Sequence, residues 1–213
     1  MNQGDHPSDL ELAALLASKI CHDVVGPVGA FGNGLEMLAT EDNQQAQAYA
    51  MDMLQNVSTQ ATARLEFARF AFGAAGSAGA QIDLAMAQKL TENYIGDGKH
   101  TLTWAGPAGH MDKDYVKLLL NLVSSGISAL PRGGTLGLTI NGTLEKPQFV
   151  LRCAGQAARP PQHLTEFIIG KEPPALHAMT IQAYYTWRLA AHARMRIEIL
   201  KDGEDIVLQA TAT

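Results

Sequence analysis

From Asp9 onward, apolar residues recur with helical spacing over residues 9–38, and Asp9 is placed to cap the first turn. The polar stretch 40–45 predicts a turn. A second helical pattern follows, with Met53, Val57, Ala61, Leu65, Ala68 and Phe72 along one stripe. It runs into the small-residue segment 73–79, Gly-Ala-Ala-Gly-Ser-Ala-Gly, whose composition predicts a flexible linker. A domain boundary is expected there, with residues 1–76 forming a helical hairpin and 77–213 a second domain.

The second half mixes periods. Residues 82–95 predict a helix and 100–104 alternate as a strand. A helix over 112–130 is stopped by Pro131 and by Gly133-Gly134. Strands are expected at 135–140 and 149–153, and a helix at 181–192. A terminal hairpin of 195–200 and 206–210 is expected to turn at Asp202-Gly203. Helices against a small, mostly antiparallel sheet make an α/β sandwich, so the expected class is α+β, without internal repeats.

Composition narrows the function. The chain is 46% hydrophobic and 17% charged, as in ordinary soluble proteins. A net charge of -5 argues against nucleic acid as a partner, because phosphate backbones need a basic surface. No unbroken apolar run is long enough for a transmembrane span, so no membrane association is expected. Residues 1–9 lack the basic and apolar regions of a secretion signal. The two cysteines, Cys21 and Cys153, make neither a metal cluster nor a disulfide framework. A reducing cytoplasm is the expected compartment.

The first helix carries the informative histidine. At about 100° per residue, Ala13, Leu16, Ala17, Ile20, Val24, Val28, Phe31, Leu35 and Leu38 fall opposite His22. Leu15, Ser18, Lys19, Gly26, Gly29 and Asn33 fall on its side. The pattern predicts a core-facing stripe with His22 presented to solvent. Gly26, Gly29, Gly32 and Gly34 each disfavour a helix by about 1 kcal/mol relative to alanine. Pro27 in its interior costs about 3 kcal/mol or more. Such a helix is not built for its own stability, and small residues beside His22 leave a flat surface.

The run Ser18-Lys-Ile-Cys-His22-Asp23-Val-Val-Gly-Pro27-Val28 resembles the H box in the dimerising helical domain of histidine kinases. There the phospho-accepting histidine is followed by an acidic residue and, five positions on, by proline. With Gly29-Ala30 and Asn33-Gly34-Leu35-Glu36 added, the segment is more similar still to the ChpT-type histidine phosphotransferases of alphaproteobacteria. In the second half, Leu118-Leu-Leu-Asn121-Leu-Val-Ser-Ser125-Gly126-Ile127 resembles the kinase N box, with Ser125 where the family has a second asparagine. Val150-Leu-Arg-Cys153-Ala-Gly155-Gln-Ala157 resembles the G1 box, with Cys153 at the adenine-reading aspartate and Ala157 at the second glycine. The expected glycine loop is replaced by Glu172-Pro-Pro-Ala-Leu-His-Ala-Met-Thr180. Without glycines, backbone cannot wrap closely round phosphates.

The resemblance implies a dimerising hairpin, completed as a four-helix bundle in a homodimer, joined to a degenerate ATPase-like α/β sandwich. It implies that His22 accepts a phosphoryl group from the receiver domain of a hybrid histidine kinase and passes it to downstream response regulators resembling those that control cell-cycle regulators. No cofactor is expected on this chain, and Mg²⁺ would sit in the partner receiver. A neutral imidazole suits the role, since its reference pKa of about 6.5 leaves a nucleophilic nitrogen available near pH 7. Asp23 either orients that ring or is a solvated surface charge. Lys19, one turn earlier, either steadies a phosphoryl group or is likewise solvated. Ser18, Gly26, Gly29 and Asn33 are the expected receiver-docking positions. An autophosphorylating kinase core and a non-catalytic receiver-docking protein are the competing readings. A metal phosphohydrolase reading of His22-Asp23 needs further clustered ligands, and the other histidines are scattered.

Overall fold

The computed structural model describes residues 6–73, 79–96, 98–170 and 175–213. Helix α1 spans Asp9–Thr40, and it begins at a capping box one residue earlier than expected. Ser8 Oγ accepts the Glu11 N–H at 3.3 Å, and a Glu11 carboxylate oxygen accepts the Ser8 N–H at 2.8 Å. Helix α2 spans Gln44–Ala71 and starts from Asn43, whose side chain accepts the Gln45 N–H at 2.8 Å. The turn therefore contracts to residues 41–43.

The two helices cross closely at Gly34, the buried residue of α1. A methyl group there would lie 2.8 Å from Leu54 and 3.0 Å from Met53, so glycine is needed for the approach. On α2 the expected stripe is corrected. Ala68 is buried, whereas Leu65 is 47% exposed and Met53, Val57, Ala61 and Phe72 are half-buried. The fully buried residues include Ala50, Leu54, Phe67 and Ala71. Helix α2 packs on α1 along one edge and on the second domain along another, so its buried arc is wider than a single stripe.

That domain opens with strand β1 (Gln81–Asp83) and helix α3 (Leu84–Ile95), then strands β2 (His100–Ala105) and β3 (His110–Asp112). Helix α4 (Lys113–Ala129) and strands β4 (Gly134–Gly142) and β5 (Pro147–Ala154) follow. Helices α5 (Gln162–Ile169) and α6 (Ile181–His192) precede the hairpin of β6 (Met195–Asp202) and β7 (Asp205–Ala212). The main sheet has five strands in the order β2-β4-β5-β7-β6, antiparallel except for the parallel β2–β4 pair. Strands β1 and β3 form a separate two-stranded ribbon. At three residues each, they are too short to show alternation. Helix α5 adds an element that the sequence pattern does not predict, bounded by Pro161 before it and left-handed Gly170 after it.

Helix α4 holds the domain together. Leu118, Leu119, Leu120, Leu122 and Val123 are fully buried. Gly126 lets the helix settle on the sheet, because a methyl group there would come within 2.6 Å of Leu151 and 3.2 Å of Cys153 Sγ. Past β5 the chain keeps an unusual turn. Ala157 has φ of 61°, a left-handed conformation that costs a non-glycine residue about 1–2 kcal/mol.

The open end of the hairpin rests on this sandwich. Leu12, Leu15 and Leu16 of α1, with Phe67 and Ala71 of α2, join its apolar core. Phe67 stacks on Tyr94 with ring centroids 3.8 Å apart. The His6 ring stacks on Trp187, and its Nδ1 lies 3.0 Å from the Tyr184 hydroxyl. The Asn121 amide donates to the Ala71 carbonyl at 3.0 Å. The boundary expected at residues 76 and 77 lies outside the described residues.

Candidate functional site around His22

Helix α1 shows three faces. Leu16, Ile20, Pro27, Ala30 and Leu38 are half-buried, on the side of buried Gly34. Val28, Phe31 and Leu35 are 59%, 39% and 50% exposed, so the stripe opposite His22 is only partly covered within one chain. The third face carries Ser18, His22, Gly26, Gly29 and Asn33, all exposed. The His22 side chain is 58% exposed, and a methyl group at Gly26 or Gly29 would meet nothing within 4 Å. The sequence expectation of a solvent-facing histidine flanked by a flat surface holds.

Lys19, His22 and Asp23 come together as a chain of contacts. The Lys19 ammonium donates to one Asp23 carboxylate oxygen. The other oxygen lies 3.4 Å from His22 Nδ1, at the outer limit of a hydrogen bond. Asp23 and Lys19 side chains are 27% and 18% exposed, so neither is a freely solvated charge. Of the two readings open for Asp23, this geometry suits ring orientation. A carboxylate next to Nδ1 favours the tautomer with its proton there, which leaves Nε2 as the outward lone pair. Lys19 has Asp23 as its immediate partner.

One residue of the site carried no signal in the pattern. Proline has no N–H, so Pro27 leaves the Asp23 carbonyl without its helical donor. Arg64 of α2 fills the vacancy, with Nη1 donating to the Asp23 carbonyl oxygen at 2.8 Å. The helix continues through Pro27 without interruption. The clue was available in principle, since a mid-helix proline always raises the question of where the freed carbonyl finds a donor.

The N-box-like segment is directed inward. Asn121 and Ser125 are buried in α4. Both hydrogens of the Asn121 amide are engaged, by the Ala71 carbonyl at 3.0 Å and the Lys117 carbonyl at 2.9 Å. Ser125 Oγ donates to the Asn121 carbonyl at 2.9 Å. Gln182 of α6 donates to that same carbonyl at 3.0 Å and to Thr186 Oγ1 at 2.9 Å. Cys153 is buried under Gly126, and burial, with a smaller contribution from the Asp205 charge, pushes its thiol up to about 12. A neutral, buried thiol offers little to an adenine amine. Of the segment expected to replace the glycine loop, residues 172–174 lie outside the described residues. Thr180 Oγ1 bonds the Ala175 carbonyl at 2.8 Å just before α6. Among the described residues, no group of three or more His, Cys, Asp or Glu side chains is placed to hold a metal.

Known proteins share this architecture. The family described as "Histidine phosphotransferase C-terminal domain" matches residues 84–205. The protein phosphotransferase ChpT of Brucella abortus (strain 2308) is 44% identical over 204 residues, covering 95% of this chain and 96% of that one. A solved structure described as a bacterial phosphotransferase superposes with a TM-score of 0.89 at 41% identity, over 96% of this chain and 98% of that one. The Acinetobacter baumannii histidine kinase AdeS gives a TM-score of 0.49 at 9% identity, over 90% of this chain and 97% of that one. With an exposed histidine on a helical hairpin, an α/β sandwich behind it and phosphotransferase relatives of this closeness, the chain belongs to the histidine phosphotransferase family.

Proposed function

We propose that His22 is the phosphoryl acceptor and donor of this chain, relaying the group between receiver domains of a two-component phosphorelay. The observation that carries the reading is the exposed imidazole on a face cleared of side chains at Gly26 and Gly29. A receiver presents its phosphoaspartate from within a pocket, so the acceptor ring has to enter it. Bulky neighbours one and two turns along would hold the partner away.

The chemistry follows from the ring's surroundings. His22 Nε2 attacks the phosphorus of the partner's aspartyl phosphate. The N–P bond forms as the P–O bond to the aspartate breaks and returns a carboxylate. The positive charge that develops on the ring is shared through Nδ1–H with the Asp23 carboxylate 3.4 Å away. Reversal of the same step passes the group to the next receiver. Mg²⁺ belongs to the acidic pocket of the partner, and no residue of this chain is assigned to it. The upstream partner is the receiver of a hybrid histidine kinase and the downstream partners are response regulators, as the resemblance implies.

ATP has no role in this scheme. The buried Asn121 amide and Ser125 hydroxyl bond to protein carbonyls, and Cys153 replaces a carboxylate. These features weigh against the autokinase reading.

The working form is a homodimer. Val25, Val28, Phe31 and Leu35 are exposed apolar residues on the hairpin, and a second copy would cover such a surface in a four-helix bundle. The same apolar content makes α1 long and apolar enough, by length and composition, to cross a membrane. Lys19, His22 and Asp23 near its middle would be costly in a bilayer, which favours the dimer and a cytoplasmic location.

With a phosphorylated receiver as donor, His22→Ala should lose all labelling while its thermal stability changes by less than about 0.5 kcal/mol, as for other exposed positions. Persistent labelling would place the acceptor elsewhere. Gly29→Arg should gain up to about 1 kcal/mol of helix stability yet fail to capture a receiver in a pull-down, and normal capture would remove the docking face. Leu35→Asp should shift the sedimentation of the full chain from dimer to monomer, because a charge would be buried unpaired in the bundle. An unchanged dimer would show that the copies meet on another surface.

A further inference from the structure

Arg64 lies on the second helix of the hairpin, outside the histidine motif. Its guanidinium Nη1 donates at 2.8 Å to the main-chain carbonyl of Asp23, the residue next to the phosphoryl acceptor. That carbonyl is free because residue 27 is proline. An ordinary α-helix would have bonded it to the N–H four residues on. Arg64 thereby ties α2 to α1 at the level of the reacting ring.

Three contacts then meet on Asp23. Its carbonyl is held by Arg64, one carboxylate oxygen by Lys19, and the other stands 3.4 Å from His22 Nδ1. The last contact is the loosest and is the one that sets the ring's tautomer. It survives only if the Asp23 backbone stays in place, and a turn from which proline removes a main-chain hydrogen bond has one tie fewer to hold it. We infer that Arg64 is a positioning residue for phosphoryl transfer: by supplying the donor that Pro27 withholds, it fixes Asp23 and keeps the His22 proton on Nδ1 and the lone pair on Nε2. The inference rests on His22 being the acceptor. It adds that Pro27 and Arg64 act as a pair, one opening the carbonyl and the other closing it from across the hairpin.

The test combines imidazole spectroscopy with a double-mutant cycle on the full chain. Nitrogen-detected spectra should show His22 mainly protonated at Nδ1 in the unmodified protein. In Arg64→Ala the ring should lose that preference, transfer from a phosphorylated receiver should slow by about tenfold or more, and the melting curve should still show a folded protein. Arg64→Lys should restore part of both, since an ammonium also donates. Pro27→Ala restores a main-chain N–H that takes over the Asp23 carbonyl. In that background, adding Arg64→Ala should change the spectrum and the rate by less than about twofold. An unchanged tautomer in Arg64→Ala would overturn the inference. An equal loss of rate in both backgrounds would do the same, because Arg64 would then be acting on the partner directly. The acceptor assignment fails separately, only if label is found off His22, and slow labelling of Arg64→Ala at His22 would leave it standing.

Discussion

In the proposed role, the exposed His22 side chain has to be held by residues that do not cover it. That constraint organises α1. The face bearing His22 is open, so the helix is secured from its other sides. Gly34 allows α2 to approach closely, Leu12, Leu15 and Leu16 anchor its first turns to the sandwich, and Arg64 closes the gap that Pro27 leaves. The helix-weakening residues are tolerable because tertiary contacts, rather than intrinsic propensity, stabilise the segment.

The second domain layers helices on a five-stranded sheet and uses its inner polar positions for structure. Asn121, at a motif position associated with Mg²⁺ and phosphates in the kinases it resembles, here ties α4 to the last turn of α2 through the Ala71 carbonyl. Gln182 and Ser125 complete a hydrogen-bonded cluster between α4 and α6. Phe67 stacked on Tyr94, and His6 on Trp187, make further joints between hairpin and sandwich. Together these contacts seat the open end of the hairpin on the sandwich.

Much of this was legible in the chain itself. Helices declare themselves by period, so α1, α2, α3, α4 and α6 are legible in the sequence, as are β2 and β4 to β7. The exposed setting of His22 followed from the same period. Other features depend on distant partners. Helix α2 serves two neighbours, and a single apolar stripe cannot show two buried edges. Strands β1 and β3 exist only through each other. Arg64 looks like any surface arginine until α2 lies beside the carbonyl freed by Pro27. Helical spacing places Asp23 and Lys19 near each other without saying which group each faces, and only the folded chain shows their mutual contact.

The central claim is that the phosphoryl group reaches this chain from a receiver aspartate and resides on His22. The most direct measurement is to offer the purified chain two sources of labelled phosphate, ATP with Mg²⁺ alone and a pre-phosphorylated receiver domain, and to map the label. The account predicts label from the receiver only, located on His22, lost in acid and stable in base as a phosphoramidate is. Label acquired from ATP alone, or label that withstands acid, would contradict it.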